Sequence, residues 1–474
     1  MVTFGTIHDW DPANGSVISW HATPTALSKA QQAPISAAPA SYQQIQHLNG
    51  FCEHATRGRD MARLSIGAWD ISGVCDVPAM TYAINAHLRR HDAYRSWFEC
   101  QETGRIVRRT FGDPADIEFL PADQGEMTAT ELRAHILATP NPLQWDCFSF
   151  GLIQYADHFT FYMSADHLVT DGMSVGVVFL EIQMNYAALV DGGAPVPLPD
   201  PASYDDYCVR QHRHTEALNL ESPQVDAWIR FAHDNGGTLP DFPLPLGDLS
   251  VPCTGGLVVV PLMDEHQADR FESACQEVGA RFSGGVFACA ALAEYELTGA
   301  ETYYGVTPYD TRSTPEEFMT PGWFASFIPV AVRASGRSFG DVAKAAQASF
   351  DSGKDLAFVP FDRVLELASS GLGLKKSERD VPMLSYIDVR SIPLSAQWDE
   401  LNAGIYGDSR LSDQVCMWVN RFEKETTLTV SFPQNAVARE SVARYVRALK
   451  SVYLRVAEHG AAAHTAAGTC QQTV

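Results

Sequence analysis

DHFTFYMSADHLVTDGMSVG, residues 157 to 176, decides how the rest of the chain is read. Phe159, Phe161, Met163 and Ala165 alternate with Thr160, Tyr162 and Ser164, which predicts a strand with its apolar set on one sheet face. The strand ends at His167. Asp171 and Gly172 close a short loop, and an amphipathic run from Met173 to Val190 predicts a helix, so an imidazole and a carboxylate stand where strand gives way to helix. An imidazole titrates near neutrality, which suits it to take a proton from a hydroxyl or amine and return it to a leaving group. Asp171 would either hold the tautomer of His167 or brace the loop, and Gly172 would supply the backbone freedom for the reversal.

A second pattern overlaps the first. Gly172-Met173-Ser174-Val175-Gly176 fits the G-x-S-x-G nucleophile elbow of α/β-hydrolases, with Ser174 as nucleophile. Both readings are acyl chemistry. An elbow, however, sets its Ser directly after a buried parallel strand, whereas here the loop from His167 to Gly172 intervenes and the strand alternates as an antiparallel one does. No HGGG-type oxyanion stretch lies upstream. These two features favour His167 as a base over Ser174 as a nucleophile, which leaves Ser174 as a first-turn helix residue.

The 474 residues exceed what one compact core accommodates and fit two domains. A net charge of -23 argues against a nucleic-acid partner and against a basic patch for anionic lipid. The ten Cys contain no C-x-x-C pair, so they suggest small core residues in a reducing cytosol and no metal site. The start, MVTFGTIHDW, has no signal-peptide pattern, and no apolar run reaches the ~18 residues a membrane span needs. A soluble cytoplasmic protein is expected, drawn by a greasy product to the inner face of the plasma membrane.

Outward from the opening stretch, strands are expected near 3–8 and 16–20, then a helix capped by Ser41, a strand at 62–69 and a helix at 77–90. RRHDAYRSWF, from Arg89, enters a strand, and another at 105–109 follows a Thr103-Gly104 turn. A short strand at 118–120, a helix at 128–137 and the segment CFSFGLIQY, 147–155, complete the first part, the last pairing as a hairpin with 159–165. APVPLPDPAS, 194–203, reads as a linker, which places a boundary near 200: a first domain over 1–200, a second over 201–460, and a disordered tail over 461–474. Strands at 256–262, 302–307, 323–332, 383–388, 415–421 and 427–432 are expected in the second part. Its last helix, 437–458, should bury Val442, Tyr445, Leu449, Val452, Tyr453 and Val456.

Taken together, six stretches in order resemble the condensation-domain and chloramphenicol-acetyltransferase-like superfamily, whose signature is H-H-x-x-x-D-G. They are SYQQIQHL from Ser41, RHDAYRSWF from Arg90, DHLVTDG from Asp166, YDDYCVRQ from Tyr204, PGWFASFIPV from Pro321 and VPFDRVLEL from Val359. RRHDAYRSWF, SYDDYCVRQH and PLPLGDLS look most like the polyketide-associated acyltransferases that esterify trehalose for cell-envelope glycolipids.

The resemblance implies an α/β (α+β) fold of two similar lobes, each a mixed sheet with helices, set in a V with an inter-lobe tunnel leading to His167. It makes His167 the catalytic base, has Asp171 form a structural salt bridge to Arg312, and puts Asp166 in place of the first motif His. Trp323 and Phe324 would line the tunnel or belong to the sheet core. Ser326 stands where condensation domains often carry Asn. The implied reaction moves a long-chain acyl group from acyl-CoA, or from a carrier-bound acyl thioester, to a hydroxyl of trehalose or sulfated trehalose, with no metal or further cofactor, in a monomer. An amide-forming free-standing condensation domain and a non-catalytic lipid- or sugar-binding member are the rival readings.

Overall fold

The structure is a computed structural model and describes residues 3–101, 105–251, 253–368, 370–377, 379–392, 395–410 and 412–464. The expected Thr103-Gly104 turn and all but the first few residues of the expected tail lie outside them. Of that tail, Gly460–Ala462 form a 3-10 turn and Ala463 is buried.

The chain divides into two compact units. The first comprises Met1–Glu216, Arg312–Phe324 and Ile392–Arg410, and the second Ala217–Thr311, Ala325–Ser391 and Leu411–Val474. This differs from a single cut near residue 200. The Pro-rich run lies along the first unit, where Val196 N–H donates to Asn185 Oδ1 at 3.1 Å and Ala202 N–H to Glu316 O at 3.3 Å. The helix that follows, Tyr204–Ala217, buries Tyr204, Tyr207 and Cys208 against Ala93 and Phe324 of the same unit.

The sheet of the first unit has seven strands in the order Thr3–Thr6, Gly404–Gly407, Leu64–Ser72, His158–Asp166, Phe148–Gln154, Gly15–Ala22 and Phe119–Met127. All neighbours run antiparallel except the first pair. The Gly404–Gly407 strand has too few residues to show an alternation, and only the fold recruits it. The helix Pro24–Gln31, between the expected strand near 16–20 and the helix capped by Ser41, is set by its Thr23 cap and by Pro24 in its first turn.

Strand His158–Asp166 is buried along nearly its whole length. Phe161 packs with Trp69 and Phe150 on one face, and Trp69 meets Phe179 of the helix Gly172–Val190. The face expected to be polar is covered as well, because Tyr162 joins a core of Ile7, Trp10, Ile66, Leu132 and Ile136. Thr160 and Ser164 survive there by hydrogen bonding, Thr160 Oγ1 to Asp70 at 2.6 Å and Ser164 Oγ with Thr139 at 3.0 Å.

Helix Gly172–Val190 is, by length and composition, apolar enough to cross a membrane, contrary to the expectation that no such run exists. Its place in the core explains the composition. It buries Val175, Val178, Phe179 and Ile182, and it carries a buried Glu181 bound by His87, His91 and Arg90 at 2.8–3.0 Å.

The second unit holds a six-stranded mixed sheet in the order Ala325–Arg333, Thr302–Asp310, Met383–Asp388, Cys416–Arg421, Glu425–Pro433 and Gly255–Asp264. Helices Glu265–Glu277, Phe282–Thr298, Phe339–Gly353 and Ala436–His459 pack in its core. The last buries the six-residue stripe read from its sequence. Both units thus mix helices with a sheet, in keeping with the α/β reading.

Candidate active site

His167 opens a single 3-10 turn, His167–Val169, because Asp166 ends its strand and accepts the Leu168 N–H at 3.0 Å. The turn is held from two sides. His167 N–H donates to Arg63 O at 2.8 Å, and Gln44 Nε2 donates to Leu168 O at 3.0 Å. The imidazole is half-buried. Its Nδ1 is sealed, with no hydrogen-bond partner among the described residues. A proton on Nδ1 leaves the lone pair on Nε2, the nitrogen that can accept a proton from a substrate. Burial pulls the pKa of His167 below the ordinary value, and the neighbouring His47 adds to this. The ring's own carbonyl, Asp171 and Asp166 act the other way. At neutral pH His167 is therefore the free base.

Asp171 caps the helix Gly172–Val190. Its Oδ1 accepts from Ser174 N at 2.9 Å and Ser174 Oγ at 2.8 Å, and its Oδ2 from Phe324 N at 3.0 Å. Arg312 grips both oxygens, Nη1 to Oδ2 at 2.8 Å and Nη2 to Oδ1 at 3.1 Å, in a pair buried at both ends. The rest of that guanidinium donates to Glu317 O and Thr320 O at 3.0 and 3.1 Å and lies 4.1 Å from the centre of the Phe324 ring. No hydrogen bond from Asp171 to the imidazole is present among the described residues, so this carboxylate braces the loop instead of fixing the tautomer.

One expectation is corrected here, and one open alternative is decided. Gly172 has no left-handed backbone, and a Cβ added to it would meet nothing within 4 Å, so the reversal does not depend on glycine at that position. The glycine under constraint is Gly322, with φ at 150° and a Cβ position 2.5 Å from the Tyr204 ring. Phe324, one of the two candidate tunnel residues, is fully buried against Tyr204, Tyr207 and Arg312, and so belongs to the core. Trp323 does reach the site. Its ring centre lies 3.9 Å from that of His167. Ser326 belongs to the second unit, buried on strand Ala325–Arg333.

Ser174 is fully buried, and its Oγ is spent on Asp171 and on both the carbonyl and the amide of Gly322, each at 3.1 Å. It is a loop staple. Ser174→Ala is expected to cost roughly 1–3 kcal/mol in stability, because it leaves the buried Gly322 amide and carbonyl without their hydroxyl partner, and to leave catalysis standing. Denaturant melts and a turnover assay on the same sample check both.

Sequence reasoning missed the surroundings of Asp166. This carboxylate is fully buried; its Oδ2 meets Arg63 Nη1 at 2.9 Å and its Oδ1 meets His47 Nε2 at 2.7 Å. Burial alone would raise its pKa, but His47, Arg63 and the Leu168 amide together hold it below the usual carboxylate range. The available signal was chemical, since a buried Asp in place of a His requires cationic partners. Gln44 and His47, three apart on the helix Tyr42–Thr56, share the face that supplies one of them.

A family model described as "Condensation domain" matches residues 67–370, well over half of the chain and spanning both the His167 turn and Arg312. The chain belongs to the condensation-domain family. Among its relatives are the trehalose-2-sulfate acyltransferase PapA2 of Mycobacterium tuberculosis (strain ATCC 25618 / H37Rv), 56% identical over 97% of this chain and 98% of that protein, and the acyltransferase PapA3 of the same strain, 51% identical over the same shares. A solved structure described as PapA2 acyl transferase matches with a TM-score of 0.94 at 56% identity, over 96% of this chain and 100% of that one. In this condensation domain the RHDAYRSWF segment contributes Arg90 and His91 to the cluster around Glu181. His87, His91 and Glu181 have the donor types of a metal site. They do not fit one here, because both imidazoles already bond one Glu181 oxygen and the Arg90 guanidinium holds the other.

Proposed function

We propose that this chain transfers a long-chain acyl group from an acyl thioester, acyl-CoA, to a hydroxyl of trehalose or trehalose 2-sulfate. The observation that carries the reading is the half-buried imidazole of His167, with Nδ1 sealed and Nε2 left to work, on a turn held by Arg63 and Gln44 in a loop braced by Asp171 and Arg312. The acceptor follows the printed name of PapA2, at 56% identity over nearly the full length of both chains.

His167 Nε2 takes the proton of the sugar hydroxyl as its oxygen attacks the thioester carbonyl. The tetrahedral intermediate expels the thiolate, and the imidazolium returns the proton to sulfur. One C–O bond forms, one C–S bond breaks, and no proton is gained or lost overall. The route needs neither an acyl-enzyme nor a metal. General-base action supplies roughly 10²- to 10⁴-fold, and holding two large substrates together supplies much of the remainder. We place the reaction in the cytoplasm, at the inner face of the membrane that receives the greasy product, and carried out by a monomer.

The test is product analysis after incubating the protein with a series of acyl-CoAs and either trehalose, trehalose 2-sulfate or an aminoacyl carrier protein. An acyl-sugar ester is expected, formed faster with the sulfated acceptor. An amide on the carrier, or ligand binding with no product from any pair, would transfer the assignment to the corresponding rival.

A further inference from the structure

We propose that His47 is a positioning residue for His167, acting through Asp166 and through the Trp323 ring; this rests on the acyl-transfer reading for its consequence in catalysis. Asp166 is the residue next to the base, and it is fully buried. An uncompensated carboxylate there would hold His167 in its protonated form and oppose the negative charge that grows on the attacked carbonyl oxygen. Two groups compensate it, and they differ in kind. Arg63 on Oδ2 is a permanent cation whose two terminal nitrogens also donate to Pro140 O and Thr139 O at 3.0 and 2.7 Å. His47 on Oδ1 is titratable, and it alone of the two also touches the aromatic wall of the site.

The His47 ring meets Trp323 edge to face at 5.4 Å, and the same indole lies against His167 at 3.9 Å. One turn earlier on the helix, Gln44 holds the carbonyl of Leu168. Helix Tyr42–Thr56 thus holds the end of the strand, the turn and the indole, and His47 makes two of those three contacts. Asp stands at 166 where the family motif carries its first imidazole. Here an imidazole reaches the same place from another element, at one remove from the base.

The ionisable groups that face His167 are His47 from this helix and Asp166 and Asp171 from its own loop, the latter two backed by Arg63 and Arg312. His47 lowers the proton affinity of His167, so its removal raises the proton affinity of the base. His47→Gln retains a nitrogen donor for Asp166 and removes the imidazole; His47→Phe retains a ring against Trp323 and removes the donor. The experiment is NMR titration of the full chain carrying ring-labelled histidine, with the His167 signal identified by its loss in His167→Ala, alongside kcat and KM with acyl-CoA and trehalose 2-sulfate.

His47→Gln is expected to move the His167 midpoint upward and to lower kcat about tenfold with KM nearly unchanged. His47→Phe is expected to lower kcat further. An unmoved His167 midpoint in His47→Gln overturns the proposal, whether or not activity falls, because a merely structural role would cost activity without touching that titration. The midpoint is read without turnover, so failure of wild type to make ester counts against the reaction and leaves this result to decide the coupling.

Discussion

His167→Ala is expected to lower ester formation by roughly 10²- to 10⁴-fold, the range that a positioned general base supplies, and to leave the protein folded. The fold is expected to survive because the side chain makes no hydrogen bond to another residue among those described. The turn is held instead by backbone groups, His167 N–H to Arg63 O and Gln44 to Leu168 O. Removing the ring takes one of two imidazoles from the Trp323 indole, a loss of packing on the order of 1 kcal/mol. Thioester turnover followed by free thiol release, with far-UV circular dichroism on the same sample, separates the two effects. A variant that keeps full activity would remove His167 from the mechanism.

Arg312→Ala is expected to destabilise the first unit by about 3–5 kcal/mol, the cost of stripping one partner from a buried ion pair. Arg312 anchors more than the charge of Asp171. It also satisfies two carbonyls and lies over Phe324, so its removal loosens the segment that carries Trp323 to the base. The pH dependence identifies the cause. In the intact pair, burial opposes ionisation of Asp171, but Arg312, Ser174 and the Phe324 amide hold its pKa below the ordinary value. Its contribution is therefore complete above the unfolded pKa of about 3.9 and is lost as pH falls through the folded one. Without the guanidinium, burial raises the folded pKa above the unfolded one, and the sign reverses: the deficit grows as pH rises past about 4. Urea melts at pH 4.5 and pH 7 check this. The shortfall of the variant should be larger at pH 7, and an equal shortfall at both would mean that lost packing, not the unpaired carboxylate, is responsible.

The strand, turn and helix around His167 were legible because alternation and helical periodicity are local signals, and both hold along residues 159–190. The antiparallel setting of that strand followed from the same alternation, although the polar face turned out to be covered by a second layer that no local pattern announces. The pairing of Asp171 with Arg312 spans 141 residues. Only the resemblance suggested it, since periodicity says nothing of partners so far apart. His47 and Arg63 were missed for a similar reason, as each looks like an ordinary polar residue until the buried Asp166 is seen to need them. Gly172 was over-read and Gly322 under-read because a sequence shows which residue lacks a side chain and not where a side chain would clash. The Pro-rich run at 194–203 suggested a linker by composition, yet it lies along one unit, where Asn185 and Glu316 bond its backbone. The short strand Gly404–Gly407 joins the first sheet from a point far along the chain, and four residues carry too little pattern to reveal it.

The central claim is that His167 works as a base whose proton affinity is lowered by its surroundings. The direct measurement is kcat/KM against pH from 4 to 8, for wild type and for Ser174→Ala, with acyl-CoA and the sulfated sugar. The account predicts a single acid limb with a midpoint below the ~6.5 of a free imidazole, the same in both proteins and absent from the residual rate of His167→Ala. A midpoint above that of a free imidazole, or a limb that persists once the ring is gone, would contradict it.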